Sequence, residues 1–239
     1  MEHKQFTLFL ILALLIVGVA IFAPWIAPKD PLEAVMLDSL KAPCKEYPLG
    51  TDKLGRDLLS RVIFGTRTSL VSTLILVAVI FVVGTVLGVL AGYFGGLVDE
   101  VIMRIADMMI SFPGLVLAIA IAGMLGPNLV NAVIAISAVS WTKYARLARS
   151  MVLKVKKSLF IEAAVVNGTK TLPILWKHVL PNMITQMVVT AAADIGTMML
   201  ELASLSFLGF GATAPTPEWG LMLNEGRTYM AKAPWLMIA

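Results

Sequence analysis

The chain has 239 residues, 59% of them hydrophobic and only 14% charged, with a mean hydropathy of +0.88. Soluble domains carry about 25% charged residues, so this composition excludes an ordinary soluble globular domain and indicates an integral membrane protein. The net charge of +4 assigns nothing as a total.

A membrane helix needs roughly 20 largely apolar residues. The first run that qualifies is Phe6–Ala27. A signal peptide's apolar core spans about 7–15 residues and ends at a small-residue cleavage site. This run is longer and passes through Pro24 and Trp25, so it reads as an uncleaved helix. A polar segment follows, rich in Pro, Asp and Lys. It holds the lone cysteine, Cys44, which excludes an intrachain disulfide framework. It also holds "GTDKLGRD" (Gly50–Asp57), with the two-glycine spacing of a phosphate loop. That loop needs Lys and then Ser or Thr after the second glycine. Arg56 and Asp57 stand there instead, and "NGTKT" (Asn167–Thr171) lacks the first glycine. His3 and His178 lie far apart, without metal-ligand spacing. With no Ser-His-Asp pattern or HExxH motif either, the chain reads as a non-catalytic protein.

The second span is Ser69–Phe94, where Gly84, Gly88 and Gly92 form a flat stripe that another helix can approach closely. The third is Val101–Leu125, in which Arg104 and Asp107 can pair across one turn. The fourth is Leu129–Trp141 with its flanks. The fifth, Met183–Phe210, carries Asp194 and Glu201, seven residues apart and so on one face. Acids inside a membrane are costly and tend to face a bundle interior or a wet path. Asp194, Glu201 and Met198 are therefore candidates to line a substrate pathway. The alternative is that each acid pairs with a basic or polar group, and that Met187, Met198 and Met199 simply pack. "TAPTPEWG" reads as an outer loop, and the terminal "APWLMIA" as the start of a sixth span cut short.

Between the fourth and fifth spans lie Lys143, Arg146, Arg149, Lys154, Lys156, Lys157, Lys170 and Lys177, with Glu162 as the only acid. Basic residues in short loops stay in the cytoplasm, so this loop and, counting back, the N-terminus are expected inside. The first polar segment is then outside, although it holds basic residues, including Arg56, Arg61 and Arg67. Its acids Asp30, Glu33, Asp38, Glu46, Asp52 and Asp57 nearly balance them. The expected organisation is an N-terminal helix with an external polar segment (1–67), then a core membrane domain (68–239) with a cytoplasmic loop at about 150–182.

Within that loop, "SLFIEAAVVNG" has good helix formers closed by a glycine. "TKTLPILWKHVLPN" then offers Thr171 as an N-cap and Pro173 in the first turn, where a proline is tolerated. Pro181 is expected to end the piece. Two short amphipathic helices with a glycine elbow at Gly168 result. They could be a knob for a protein partner, or a pair lying on the membrane held by lysines and lipid phosphates.

The segment resembles the EAA loop of ATP-binding-cassette (ABC) importer permeases. Glu162, Ala163, Ala164, Gly168, Leu180 and Pro181 fit the pattern, and His178 replaces its isoleucine. His before "VLPN" is usual in the dipeptide, oligopeptide and nickel branch. "PLGTDKLGRDLLSRVIFGTRTSL", "GYFGGLVDEVIMRIADMMISFPGLVLAIA", "RLARSMVL" and "LASLSFLGFGATAPTPEWGLML" also resemble that branch, in order, from Pro48 to Trp235.

The resemblance implies an all-α polytopic helix bundle of the type I importer class, with five spans visible and a sixth expected beyond the C-terminus. It implies a bacterial inner-membrane permease in a lipid bilayer, its N-terminus cytoplasmic. A sister permease would complete a heterodimer. Glu162, Ala163, Ala164, Gly168, His178, Leu180 and Pro181 would form the contact with one of two cytoplasmic ATPases. ATP and Mg would bind those subunits, with no cofactor in this chain. An extracytoplasmic binding protein would deliver nickel, free or chelated, or di- or oligopeptides, and no nucleic acid is involved. The alternative is an ion-coupled secondary transporter or channel, which would want acids on several helices and paired halves.

Overall fold

The computed structural model describes residues 2–238, and side chains from Gln5 onward. The His3 side chain and Ala239 lie outside the described residues. The elements are α1 (Glu2–Ile26), a 3-10 turn (Met36–Asp38), α2 (Leu58–Phe94), α3 (Gly96–Ile110), α4 (Gly114–Leu125) and α5 (Leu129–Lys156). Then come α6 (Leu159–Val166), α7 (Thr171–Ile174), a π-turn (Leu175–Val179), α8 (Leu180–Phe207), α9 (Trp219–Arg227) and α10 (Trp235–Ile238). Among the described residues the only β feature is an isolated bridge between Thr51 and Asp57. The class is all-α, as expected.

The spans differ from expectation in number and form. Among the described residues, three helical stretches are long and apolar enough to cross a membrane: Gln5–Ile26, Leu58–Phe94 and Thr171–Phe207. The expected single span Val101–Leu125 is broken. Helices α3 and α4 meet at 93° and count as one span only as a bent pair. Pro113 is the cause, because a proline disfavours helical geometry in the residue before it, here Phe112. The fourth expected span is helical well beyond Trp141, to Lys156. Its second half carries Lys143, Arg146, Arg149, Lys154 and Lys156, which take α5 below the apolarity of the other three. Helix α1 is apolar all round, with Phe6, Ile11 and Trp25 exposed, as a helix immersed in lipid would be.

The chain forms two compact units. One comprises Met1–Leu74, Ala122–Val133 and Met199–Ala239; the other comprises Ile75–Ile121 and Ile134–Met198.

The first unit is organised by buried charge. Arg56 and Arg61 are each 1% exposed. Arg56 Nε donates to Asp52 Oδ2 at 2.6 Å, and its Nη2 to Glu225 Oε2 at 3.1 Å. Arg61 Nη1 donates to the Pro31 and Pro215 carbonyls, both at 3.2 Å, and its Nη2 lies 3.5 Å from Glu225. Two guanidinium groups thus join the first polar segment, the start of α2 and helix α9. The dismissed phosphate-loop lookalike is the centre of this cluster, which sequence spacing alone does not reveal.

The ends of the helices reinforce the cluster. Asp57 Oδ2 accepts bonds from the Ser60 amide and hydroxyl, capping α2. Glu218 caps α9 by accepting from the Gly220 and Leu221 amides. It also accepts from Ser69 Oγ. Residues of "APWLMIA" close the unit: Leu236 and Ala233 pack with Leu58, and Trp235 Nε1 donates to the Thr51 carbonyl at 3.4 Å.

The second unit uses the glycine stripe for close packing. A Cβ on Gly84 would fall on the Tyr144 side chain and the Trp141 carbonyl. One on Gly88 would lie 2.7 Å from Ala148 Cβ, and one on Gly92 would lie 2.9 Å from Val152 Cβ. The stripe therefore seats α5 directly against α2. Phe81 and Tyr144 meet edge to face in the same seam, with ring centroids 6.1 Å apart.

Removing one partner of a buried ion pair leaves the other charge stranded. Arg56→Ala is therefore expected to destabilise the folded chain by about 3–5 kcal/mol. Arg104→Ala, at an exposed pair with Glu100, should cost about 1 kcal/mol or less. Thermal unfolding of both variants in detergent checks the contrast.

Candidate functional site

The basic stretch after Trp141 is the continuation of α5, and it delivers the chain to α6. The Ser158 carbonyl accepts from the Ile161 and Glu162 amides and starts the helix. The Ser158 hydroxyl bonds back to the Val155 carbonyl instead of capping α6. Helix α6 closes at Asn167. Gly168 then adopts φ +73°, a left-handed conformation that glycine takes without strain. A Cβ there would meet nothing within 4 Å, so the requirement is for backbone freedom and not for space. The elbow expected at Gly168 is present.

Helix α6 faces two ways. Ile161 is buried, whereas Glu162 and Ala163 are exposed and Ala164 is half-buried. Around them Leu159 is 82%, Val166 86% and Trp176 69% exposed. Large apolar side chains exposed beside Glu162 and Ala163 make this helix a candidate interaction surface.

Two details of the second half differ from expectation. Helix α7 starts at Thr171, but Lys170 occupies the cap position, and no side chain caps the helix. The Lys170 carbonyl instead accepts from the Ile174 amide. Pro181 does not end the piece. It sits in the first turn of α8, and Thr171–Phe207 is one helical span. A mid-helix proline lacks its amide donor and crowds the carbonyl four residues back, here Lys177. The π-turn at Leu175–Val179 widens the backbone at that carbonyl. Asn182 Nδ2 donates to the His178 carbonyl at 2.6 Å, serving the loosened turn. The His178 ring lies 6.2 Å from the Phe160 ring, tilted by 46°. It packs α6 against the π-turn, so Leu180 and Pro181 are joined through it to the helix that holds Glu162.

On α8, Asp194 is 6% exposed. Lys143 Nζ donates to its two oxygens at 2.7 and 2.8 Å, and Tyr144 Oη donates at 2.9 Å. Its charge is answered within the unit by α5. Met198 and Met187 are buried and pack. Glu201, half-buried, falls in the first unit.

The expected Arg104–Asp107 pair does not form. Arg104 lies 3.7 Å from Glu100, and Asp107 bonds Arg146 of α5 at 2.5 Å. Asp99 accepts from Arg149 Nε and Nη2, at 2.5 and 2.6 Å. Reading residues 143–156 as loop hid these partners. As a helix, α5 presents Lys143, Arg146 and Arg149 at three-residue intervals, reaching Asp194 on α8 and two aspartates on α3. The bidentate Arg149–Asp99 geometry is the stronger kind of charged contact.

Removing the Asp194 carboxylate would strand the Tyr144 hydroxyl, since Tyr144 is 1% exposed. Asp194→Ala is expected to cost about 1–3 kcal/mol, with part of the loss recovered by adding Tyr144→Phe. Unfolding in detergent, measured beside transport, checks this. Full stability with lost transport would give Asp194 a pathway role instead.

Comparison with known proteins agrees with this architecture. Residues 84–239 match the family described as "Binding-protein-dependent transport system inner membrane component". The chain is 42% identical over 220 residues to a dipeptide transport system permease protein, DppC, of Alkalihalophilus pseudofirmus, covering 92% of this chain and 72% of that protein. It is 44% identical over 238 residues to a glutathione transport system permease protein, GsiD, of Escherichia coli O157:H7, covering 99% and 78%. A DppC of Haemophilus influenzae is 40% identical over 234 residues, covering 95% and 79%. This chain belongs to the family of inner-membrane permease components of binding-protein-dependent ABC importers.

Proposed function

We propose that this multi-pass permease works as one of two sister permeases in an ATP-driven importer of di- or oligopeptides, with α6 as its coupling helix. The observation that carries this reading is the exposed surface of Glu162, Ala163 and Val166, set on a helix between α5 and the elbow at Gly168. The relatives named for dipeptide and glutathione transport favour peptide cargo over nickel.

In this mechanism two cytoplasmic ATPases bind ATP and Mg and do the hydrolysis, while an extracytoplasmic binding protein supplies cargo. Closure of the ATPases pushes α6. The push passes back along α5 through its ion pairs, and forward through His178 and the π-turn into α8. Only a difference in ATPase affinity for the two permease states can drive the shift. The Asp194–Lys143 pair holds α8 to α5, and Glu201, two turns on, is the acid of α8 that would line the pathway. Lys143 is mostly exposed at this pair, so it can change partners between states.

Gly168→Asp places a non-glycine residue at positive φ, at a cost of roughly 1–2 kcal/mol. It also adds charge beside the coupling surface. The variant is expected to insert normally and to lose peptide uptake about tenfold or more, the equivalent of about 1.4 kcal/mol of lost coupling. Unchanged uptake would count against the coupling role. The proposed topology puts the N-terminus inside and exposed Cys44 outside. As the only cysteine of the chain, Cys44 should react with a membrane-impermeant maleimide in spheroplasts without permeabilisation. Labelling only after lysis would reverse the topology.

A further inference from the structure

The glycine stripe seats one face of α2 against α5. About 200° round the helix, another face of α2 is open. There Val82, Val86 and Leu90 recur at four-residue intervals and form one wall of an apolar groove of about 640 Å³. Trp176, Leu180 and Ile184, again four residues apart, form the other wall. Both walls belong to the second unit. Val82, Val86 and Trp176 are 56%, 52% and 69% exposed, so the groove is open to its surroundings.

The groove has nearly the length of one leaflet. Val82 and Leu90 lie about 12 Å apart along α2, against roughly 15 Å for half the hydrocarbon core of a bilayer. In the topology proposed above, Leu90 and Trp176 mark its cytoplasmic end. An apolar groove at this depth takes up hydrocarbon, and its rim decides which molecule supplies it.

The rim is aromatic and basic. Trp176 stands at the cytoplasmic end, as an indole does at a membrane–water boundary. Lys177 follows it, and Lys170 holds the cap position of α7. Both lysines are exposed, and among the described residues no carboxylate pairs with either. Between Glu162 and Asp194 the chain holds no acid at all. The cations of α5 differ, because Lys143, Arg146 and Arg149 are each answered by an aspartate. Basic residues beside a groove between membrane helices, on the cytoplasmic side, suit a lipid headgroup.

We propose that this groove binds an anionic phospholipid of the cytoplasmic leaflet, with an acyl chain between α2 and α8 and its phosphate at Lys170 and Lys177. The inference rests on the topology proposed above. Charge complementarity selects the anionic headgroup, and the leaflet-long apolar walls select the chain attached to it. Trp176 lies in the π-turn and Leu180 directly after it. The bound chain therefore backs the loosened turn through which movement of α6 reaches α8, and the lipid tightens coupling.

Fluorescence quenching of Trp176 tests the site with the full chain in phosphatidylcholine nanodiscs. The probes are phosphatidylglycerol and phosphatidylcholine brominated on their acyl chains, each titrated as a minor component. Comparison with Trp176→Phe isolates this indole from the other tryptophans. Brominated phosphatidylglycerol should half-quench it at a lower mole fraction than brominated phosphatidylcholine. Lys170→Gln and Lys177→Gln should each raise that mole fraction about fivefold, whereas Lys157→Gln should not. Val86→Phe, at an exposed position, narrows the groove and should weaken quenching by both lipids; unchanged unfolding in detergent separates this from misfolding. In the assembled importer, ATP hydrolysed per peptide imported should fall as the phosphatidylglycerol fraction rises, and should not respond in the double lysine variant. Equal quenching by the two lipids, or no effect of the lysine variants, would overturn the headgroup site. Quenching seen in the chain alone but lost in the assembled importer would give the groove to a neighbouring permease and overturn the lipid. Selective quenching with an unresponsive ATP-to-peptide ratio would support the lipid site and overturn its effect on coupling. Selective quenching with Cys44 labelled only after lysis would fail the topology and the choice of leaflet, while supporting the lipid site.

Discussion

The π-turn at Leu175–Val179 lets one helix run from the elbow at Gly168 into an apolar span. Without it, Pro181 would break or kink the segment between Trp176 and Met183, and α6 would hang on a flexible tether. With it, Thr171–Phe207 is continuous, and the loosened His178 carbonyl is served by Asn182. The other side of α6 is reached through α5, a helix pinned by the glycine stripe of α2 and by its own cations. A displacement of α6 therefore meets helices on both sides instead of slack chain. Packed helical elements shift between discrete arrangements rather than deforming continuously, which suits a two-state transporter.

The buried cluster of Asp52, Arg56, Arg61 and Glu225 bears on a conflict in the charge distribution. Basic residues favour the cytoplasmic side, yet the first polar segment holds three arginines and is proposed to lie outside. Two of them are folded away against carboxylates and carbonyls; Arg67 is exposed. The folded segment still presents Lys29, Lys41, Lys45 and Lys53 beside Arg67. Against them stand Asp30, Glu33, Asp38 and Glu46, so the segment is close to charge balance, unlike the stretch from Lys143 to Lys177.

Much of this architecture is legible in the sequence where local chemistry decides it. The glycine spacing at 84, 88 and 92 names a close helix contact, and Gly168 sits where only a left-handed residue turns the chain. The EAA pattern points to the permease family before any fold is known. Legibility fails where a distant partner decides. Asp107 has a candidate partner three residues away, yet pairs with Arg146 on another helix. Residues 143–156 look like a basic loop because their charges are counted without the acids that answer them. "GTDKLGRD" looks like an imitation of a phosphate loop because Glu225, far along the chain, is invisible from it. Pro113 and Pro181 show the same limit from the backbone side. One bends a span by 93° and the other is absorbed by a π-turn; the surroundings, not the residue, choose between those outcomes.

The central claim is that α6 touches an ATPase. A photo-crosslinking amino acid at Val166, 86% exposed on α6, tests it most directly in cells that carry the whole importer. The account predicts an adduct with the ATPase subunit, identified by mass spectrometry and changed in yield when ATP is trapped. Adducts confined to lipid or to another permease would contradict it, and would leave the loop as a pair of helices resting on the membrane surface.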